Sequence, residues 1–203
     1  LYGGFVSVFC FMTIVAYSQG WGAALFERTW GWETSYYASI NGVLLIICGP
    51  AAVLSAGWLC DHWIAQGKRD APMKIALFGV FATVLTGAVF PLMPTAPLAM
   101  GLFALNNMGI GVTSAMGVTA LLRLAPGPVQ AQTVALYYMC ISMAGLFLGP
   151  TAVALLNDHV FGVEGIRYSM AVIPVIFGVP VLLGLRGILG SYDQGITEHE
   201  GLT

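Results

Sequence analysis

Five stretches of this chain carry no Asp, Glu, Lys or Arg: Leu1 to Phe26, Ser35 to Cys60, Ile75 to Leu122, Leu124 to Asn157 and Tyr168 to Leu185. Runs of this kind cannot form the wet surface of a water-soluble domain. A helix crosses the hydrocarbon core of a bilayer with roughly 20 apolar residues, and each run is about that long or longer. Pro91, Pro94 and Pro97 divide the third run, because proline ends helices and favours tight connections. The Ala125-Pro126-Gly127-Pro128 turn opens the next span. The reading is an all-α membrane protein with six spans at about 1–26, 35–60, 73–93, 97–122, 130–156 and 168–189. A polar tail, 190–203, follows, expected to be mobile. Barrel strands would be about 10 residues long with alternating polarity. In lipid, only a helix satisfies its backbone groups within one segment.

Composition agrees: 58% of residues are hydrophobic and 8% charged, with a mean hydropathy of +0.86. Soluble domains carry about a quarter charged residues. The formal net charge is −2, from seven basic and nine acidic side chains. No basic face is left for nucleic acid, which needs Lys and Arg gathered on one surface. Cys10, Cys48, Cys60 and Cys140 lie in apolar stretches without C-x-x-C spacing. They read as small buried hydrophobes, and neither metal nor cofactor is implied. The chain opens at Leu1 directly into an apolar run, without the basic segment of a signal peptide, and is expected to be cut from something longer.

Lys68, Arg69, Lys74, Arg123 and Arg186 fall on one side of a six-span topology. The other side has Arg28 and Arg167 beside Glu27, Glu33, Asp158 and Glu164. Positive charge is retained in the cytoplasm, so both ends are expected inside, in a plasma or inner membrane. Gly49-Pro50-Ala51-Ala52-Val53 precedes Asp61-His62, and Gly149-Pro150-Thr151-Ala152-Val153 precedes Asn157-Asp158-His159. The two copies end on opposite sides of the membrane, as in an inverted repeat of three plus three helices.

Asp61 closes the second span, where the helix dipole disfavours an anion. It is either a solvated helix end among basic anchors or an acid that requires a partner. Gly57-x-Leu59-x-Asp61, followed by Gly67-Lys68-Arg69, resembles the second cytoplasmic loop motif of the major facilitator superfamily. Phe26-Glu27-Arg28-Thr29-Trp30-Gly31-Trp32 resembles the outward loop after that family's seventh helix. Ala135-Leu136-Tyr137-Tyr138, with Gly145 through Gly149-Pro150 and Asp158, resembles its eleventh helix, and Gly165-Ile166-Arg167-Tyr168-Ser169 the entry to its twelfth. The surrounding residues also resemble its spinster-like and organic anion:cation symporter-like branches. It implies that these six helices are the C-terminal half of a twelve-helix transporter, partnered by an N-terminal half. It also implies that Gly57, Asp61, His62, Lys68 and Arg69 gate the pathway. His62 stands where the family has Arg or Lys, and Gln130 where it has Arg.

Polar residues inside a bilayer mark helix contacts or a solute path. The fourth span carries Asn106, Asn107, Thr113 and Ser114, with Asn107 and Ser114 seven apart on one face. The resemblance places the first and fourth spans around the central cavity. Thr13, Tyr17 and Trp21 recur every four residues along the first span, joined by Gln19. They read either as a solute-facing stripe or as an interfacial aromatic belt. Asn41, Tyr137, Tyr138 and Ser142 complete the candidates. Gly145 and Gly149 read as a packing pair, and Pro50, Pro150, Pro174 and Pro180 as kinks. No charged residue lies mid-span to pair with a carboxylate or carry a coupling proton.

No G-x-S-x-G, H-E-x-x-H or pair of mid-span acids is present, and Tyr192-Asp193 lies beyond the last span. An enzyme is therefore not expected. The expected function is secondary transport of a small organic or amphipathic solute by alternating access. A channel or non-transporting receptor on the same fold is the alternative.

Overall fold

A computed structural model of the chain describes residues 2–125, 127–162 and 165–200, apart from the side chains of residue 191 and residues 193–200. Leu1, Pro126 of the expected turn, Glu164 of the expected acidic side and the end of the tail, 201–203, lie outside the described residues. Every regular element among the described residues is helical. Helix α1 (Tyr2–Ser18) passes through a 3₁₀ turn (Gln19–Trp21) into α2 (Gly22–Trp30), and the two form one span. Then come α3 (Thr34–Ala65), α4 (Ala71–Val89), α5 (Ala96–Leu124), α6 (Gln130–Leu156) and α7 (Ile166–Glu200). Six helical segments are long and apolar enough to cross a membrane.

Local chemistry sets the boundaries. Gly31, at φ +70°, closes α2 in the left-handed conformation that only glycine adopts without strain. Gly67, at φ +84°, closes α3. Its N–H donates to Ile64 O, and that of Lys68 to Trp63 O, which satisfies two terminal carbonyls. Between α4 and α5 the chain makes a 3₁₀ turn at Phe90–Leu92 around Pro91, and α5 restarts at Ala96 with Pro97 in its first turn. The fifth span is longer than expected. A π turn at Asn157–Phe161 continues α6, held where Ser169 Oγ donates to Asn157 Oδ1 at 2.9 Å. The last helix also outruns its expected end at 189, because it continues to Glu200 and buries Tyr192 in the core.

Successive spans alternate in direction, and side chains tie their ends together. At one end Tyr2 Oη donates to Leu124 O at 2.5 Å, and Tyr192 Oη to Ala120 O at 3.3 Å. Gln130 Nε2 reaches Leu122 O and Ala125 O, so α1, α6 and α7 together satisfy carbonyls at the end of α5. Burial pushes the Tyr192 phenol above its ordinary pKa, while nearby Arg123 acts in the opposite sense; the hydroxyl stays a donor at neutral pH. Lys68, Arg69, Lys74 and Arg123 gather at this end, with Arg186 on α7 six residues before Tyr192.

At the opposite end Arg167 donates from Nε to Pro91 O at 3.2 Å and from Nη2 to Met93 O at 3.3 Å. A cation at the start of α7 opposes that helix's own dipole but complements the carbonyl end of α4. Charge-assisted bonds of this kind contribute about 1.5–3 kcal/mol, and partial exposure places Arg167 at the lower limit. Arg167→Met is therefore expected to destabilise the bundle by about 1.5 kcal/mol, read as denaturant-induced unfolding in detergent. An unchanged midpoint would remove Arg167 from the account.

The most extensive helix pairs are α4–α5, α1–α6, α4–α7, α1–α7 and α3–α5. The outside of the bundle is apolar: Ile46 is 75% exposed, Leu54 72%, Trp58 70% and Phe78 72%. Water would not tolerate this surface, and lipid does. The sequence and fold together define a multi-pass α-helical membrane protein.

Candidate functional site

A cavity of about 260 Å³ opens between α1, α5 and α6. Thr13 and Tyr17 reach it from α1, Thr113 and Ser114 from α5, and Tyr137, Tyr138 and Ser142 from α6. All these positions lie a turn or more inside their spans. The cavity therefore presents hydroxyl groups within the membrane-crossing region.

Close packing shapes its wall. A Cβ on Gly145 would overlap the Tyr17 ring, and one on Gly149 would lie 2.8 Å from Tyr17 Cβ and 3.0 Å from Ile14 O. These two glycines let α6 approach α1 until Tyr17 is pressed into position. Thr13 Oγ1 lies 2.8 Å from Cys10 O and 2.9 Å from Ile141 O, so its single proton serves a carbonyl on either helix. Tyr137 is buried, with its ring 5.9 Å from Phe9 and 5.5 Å from Tyr138. Tyr17 is 38% and Tyr138 45% exposed, so the cavity is open-sided and meets the flank of the bundle. No charged side chain lines it. Such a site recognises a solute by ring contact and neutral hydrogen bonds.

The structure brings Thr13, Tyr17, Thr113, Ser114, Tyr137, Tyr138 and Ser142 together in this cavity and leaves Gln19, Trp21, Asn41, Asn106 and Asn107 outside its lining. Asn106 is fully buried and faces α4, donating from Nδ2 to Thr83 O at 2.8 Å and to Thr86 Oγ1 at 3.2 Å. Asn107 donates to Phe103 O of its own helix at 2.9 Å. Trp21 Nε1 donates to Pro150 O at 3.1 Å, linking the first span to the fifth. Gln19 is buried in the 3₁₀ turn with no protein partner for either amide atom, and Asn41 Oδ1 is likewise unpaired. Phe9, Met12, Ile110 and Ile141 also line the cavity. Phe9 was readable in advance, since it continues the Thr13–Tyr17 spacing by one further turn.

The last turns of α3 and the loop after it form their own cluster. Trp58 stacks on His62 with centroids 5.7 Å apart, and His62 Nε2 lies 2.9 Å from Gln66 Nε2. Lys68 Nζ sits 4.8 Å from the centre of the Trp63 ring, and Arg69 O accepts from Arg123 Nη1 at 3.0 Å. Asp61 is exposed near the end of α3, and Gly57 has open space around its α-carbon. The paired Gly-Pro copies differ in their surroundings. Gly149 meets the α1 backbone, whereas nothing lies within 4 Å of a Cβ built on Gly49.

No group of three or more His, Cys, Asp or Glu placed to hold a metal occurs among the described residues. Comparison with protein-family models, with characterised proteins and with solved structures gave no match.

Proposed function

We propose that this chain is one half of a secondary transporter of the major facilitator type, moving a small organic or amphipathic solute by alternating access. The observation that carries this reading is the open-sided, hydroxyl-lined cavity within the membrane-crossing region. A site that meets the flank of a six-helix bundle is completed by a second bundle seated against it, and two bundles rocking about a shared site give alternating access. The partner in this reading is an N-terminal six-helix half.

The packing supports an internal repeat of three plus three helices. Exchanging the first three spans with the last three converts α4–α5 into α1–α7 and α1–α6 into α3–α5, and returns α4–α7 to itself. The five most extensive helix pairs therefore map onto one another. The resemblance of Gly57 to Arg69 to a transporter loop points the same way, with Asp61 assigned to the gate. The basic cluster at one end favours a cytoplasmic location for that end and for both chain termini. The uncharged cavity favours a neutral or amphipathic solute over a carboxylate.

The test is uptake by the full-length protein in proteoliposomes, supplied with a panel of organic acids, neutral amphiphiles and lysolipids. Saturable uptake is expected for at least one neutral or amphipathic member, reduced by Asp61→Asn. Single-channel currents without saturation would replace the carrier with a channel. Silence across the panel in a folded, correctly inserted protein would remove the transport reading.

A further inference from the structure

A second, larger groove runs down the outside of the bundle between α4 and α7. Its volume is about 560 Å³. On α4 it is lined by Lys74, Phe78 and Phe81, which fall on one face at four- and three-residue steps. On α7, Arg186 and Leu182 follow the same step in the opposite direction, beside Leu183. The two helices are antiparallel, so both cations lie at the same end of the groove. The apolar side chains extend from there toward the middle of the membrane. Phe78 and Leu183 are largely exposed, so the groove faces the bilayer rather than the bundle interior.

We propose that this groove binds one anionic glycerophospholipid. Its acyl chain would lie along the phenylalanine and leucine walls, and its headgroup phosphate between Lys74 and Arg186. The walls alone would accept any lipid chain; the cations make the site selective. Basic side chains between helices at the interface attract anionic headgroups. Asp70 holds one side of Lys74 through an ion pair of 2.7 Å. An ammonium has three donors, so Lys74 can hold the carboxylate and a phosphate together. Asp70 weakens the site without closing it. A free phosphate would gain nothing from the apolar walls, so the occupant is the lipid. This inference does not depend on the transport reading.

The test places a tryptophan in the groove, as Phe81→Trp, in the full-length protein. Its fluorescence is quenched by brominated phosphatidylglycerol or by brominated phosphatidylcholine in mixed vesicles, after subtraction of the parent protein's signal. A preference for phosphatidylglycerol on the order of fivefold is expected, equivalent to about 1 kcal/mol for one uncompensated basic side chain. The preference should vanish in Lys74→Gln/Arg186→Gln and rise in Asp70→Asn. The opposite signs separate charge recognition from loss of fold. Leu54→Trp, on the exposed face of α3, is the control and should show no such preference. Equal quenching by the two lipids at Phe81→Trp, or equal selectivity at both reporters, would overturn the site.

Discussion

Leucine at Gly109 is expected to take the bundle apart. Gly79 and Thr83 on α4 meet Gly109 and Thr113 on α5 in a reciprocal contact. A Cβ on Gly109 would lie 2.5 Å from Thr83 Oγ1 and 3.0 Å from Gly79 O. One on Gly79 would lie 2.6 Å from Thr113 Oγ1 and 3.1 Å from Gly109 O. Carbonyl oxygens of a helix backbone cannot rotate away, so the helices must separate. Both threonine hydroxyls donate back to their own helices, at 2.9 and 2.8 Å. The threonines thus add no bond of their own between the helices. Asn106 Nδ2 alongside donates to Thr83 O, a bond that also needs the close approach, and lipid tails supply no hydrophobic force to replace it. Gly109→Ala is expected to cost about 1–3 kcal/mol, the range of overpacking, and Gly109→Leu to leave no folded protein after extraction. Gly101 lies on the same helix with nothing within 4 Å of a built Cβ. Gly101→Ala should be neutral, or stabilising by up to about 1 kcal/mol through helix propensity. Thermal unfolding in detergent reads all three, and a Gly109→Leu protein that melts with the parent would refute the close contact.

Filling the cavity should abolish uptake while leaving the fold in place. Ser114 lines the cavity and is itself exposed, so a larger side chain there enters open space rather than a packed core. An indole at this position would occupy much of the 260 Å³ and stand among Thr13, Tyr17 and Tyr138. Ser114→Trp is expected to lower solute uptake by at least about tenfold, equivalent to about 1.4 kcal/mol, with little change in thermal unfolding. Asn107→Leu, outside the cavity lining, should retain most of the parent's uptake. Normal uptake by Ser114→Trp would move the pathway elsewhere, even if the protein proved to be a carrier.

The spans were legible because charge is scarce. Glu27-Arg28, Asp61 and Arg167 interrupt otherwise apolar runs, and the prolines between Phe90 and Ala96 mark the one connection without a charge. Span ends were less legible. Asn157 to Phe161 carries Asp158 and His159 yet continues α6 as a π turn. Beyond Gly190 the polar composition conceals a helix that buries Tyr192.

The four-residue spacing of Thr13, Tyr17 and Trp21 marks one helix face. Thr13 and Tyr17 line the cavity, whereas the 3₁₀ turn at Gln19–Trp21 takes Trp21 out of it to Pro150 O. A helix face follows from spacing. Which neighbour that face meets does not. Asn106 and Asn107 are adjacent in sequence, but α5 turns the first toward α4 and leaves the second bonded to its own backbone. The signal that could have separated them is the small residues Gly79 and Thr83 opposite Gly109 and Thr113. They mark the α4–α5 seam, and Asn106 lies next to it.

The pairing of α1 with α6 and α7 has a consequence for biosynthesis. The first span leaves the ribosome long before its two principal neighbours exist, and it carries Thr13 and Trp21, whose acceptors Ile141 O and Pro150 O lie on α6, into the membrane. The carbonyls at the end of α5 wait in the same way for Tyr192, 72 residues later. Contacts between distant parts of a sequence form late. Until the last helix is released, the earlier spans are an open assembly with polar groups unmatched. Truncation within α7 would strand them there, a substrate for membrane quality control rather than a smaller working protein.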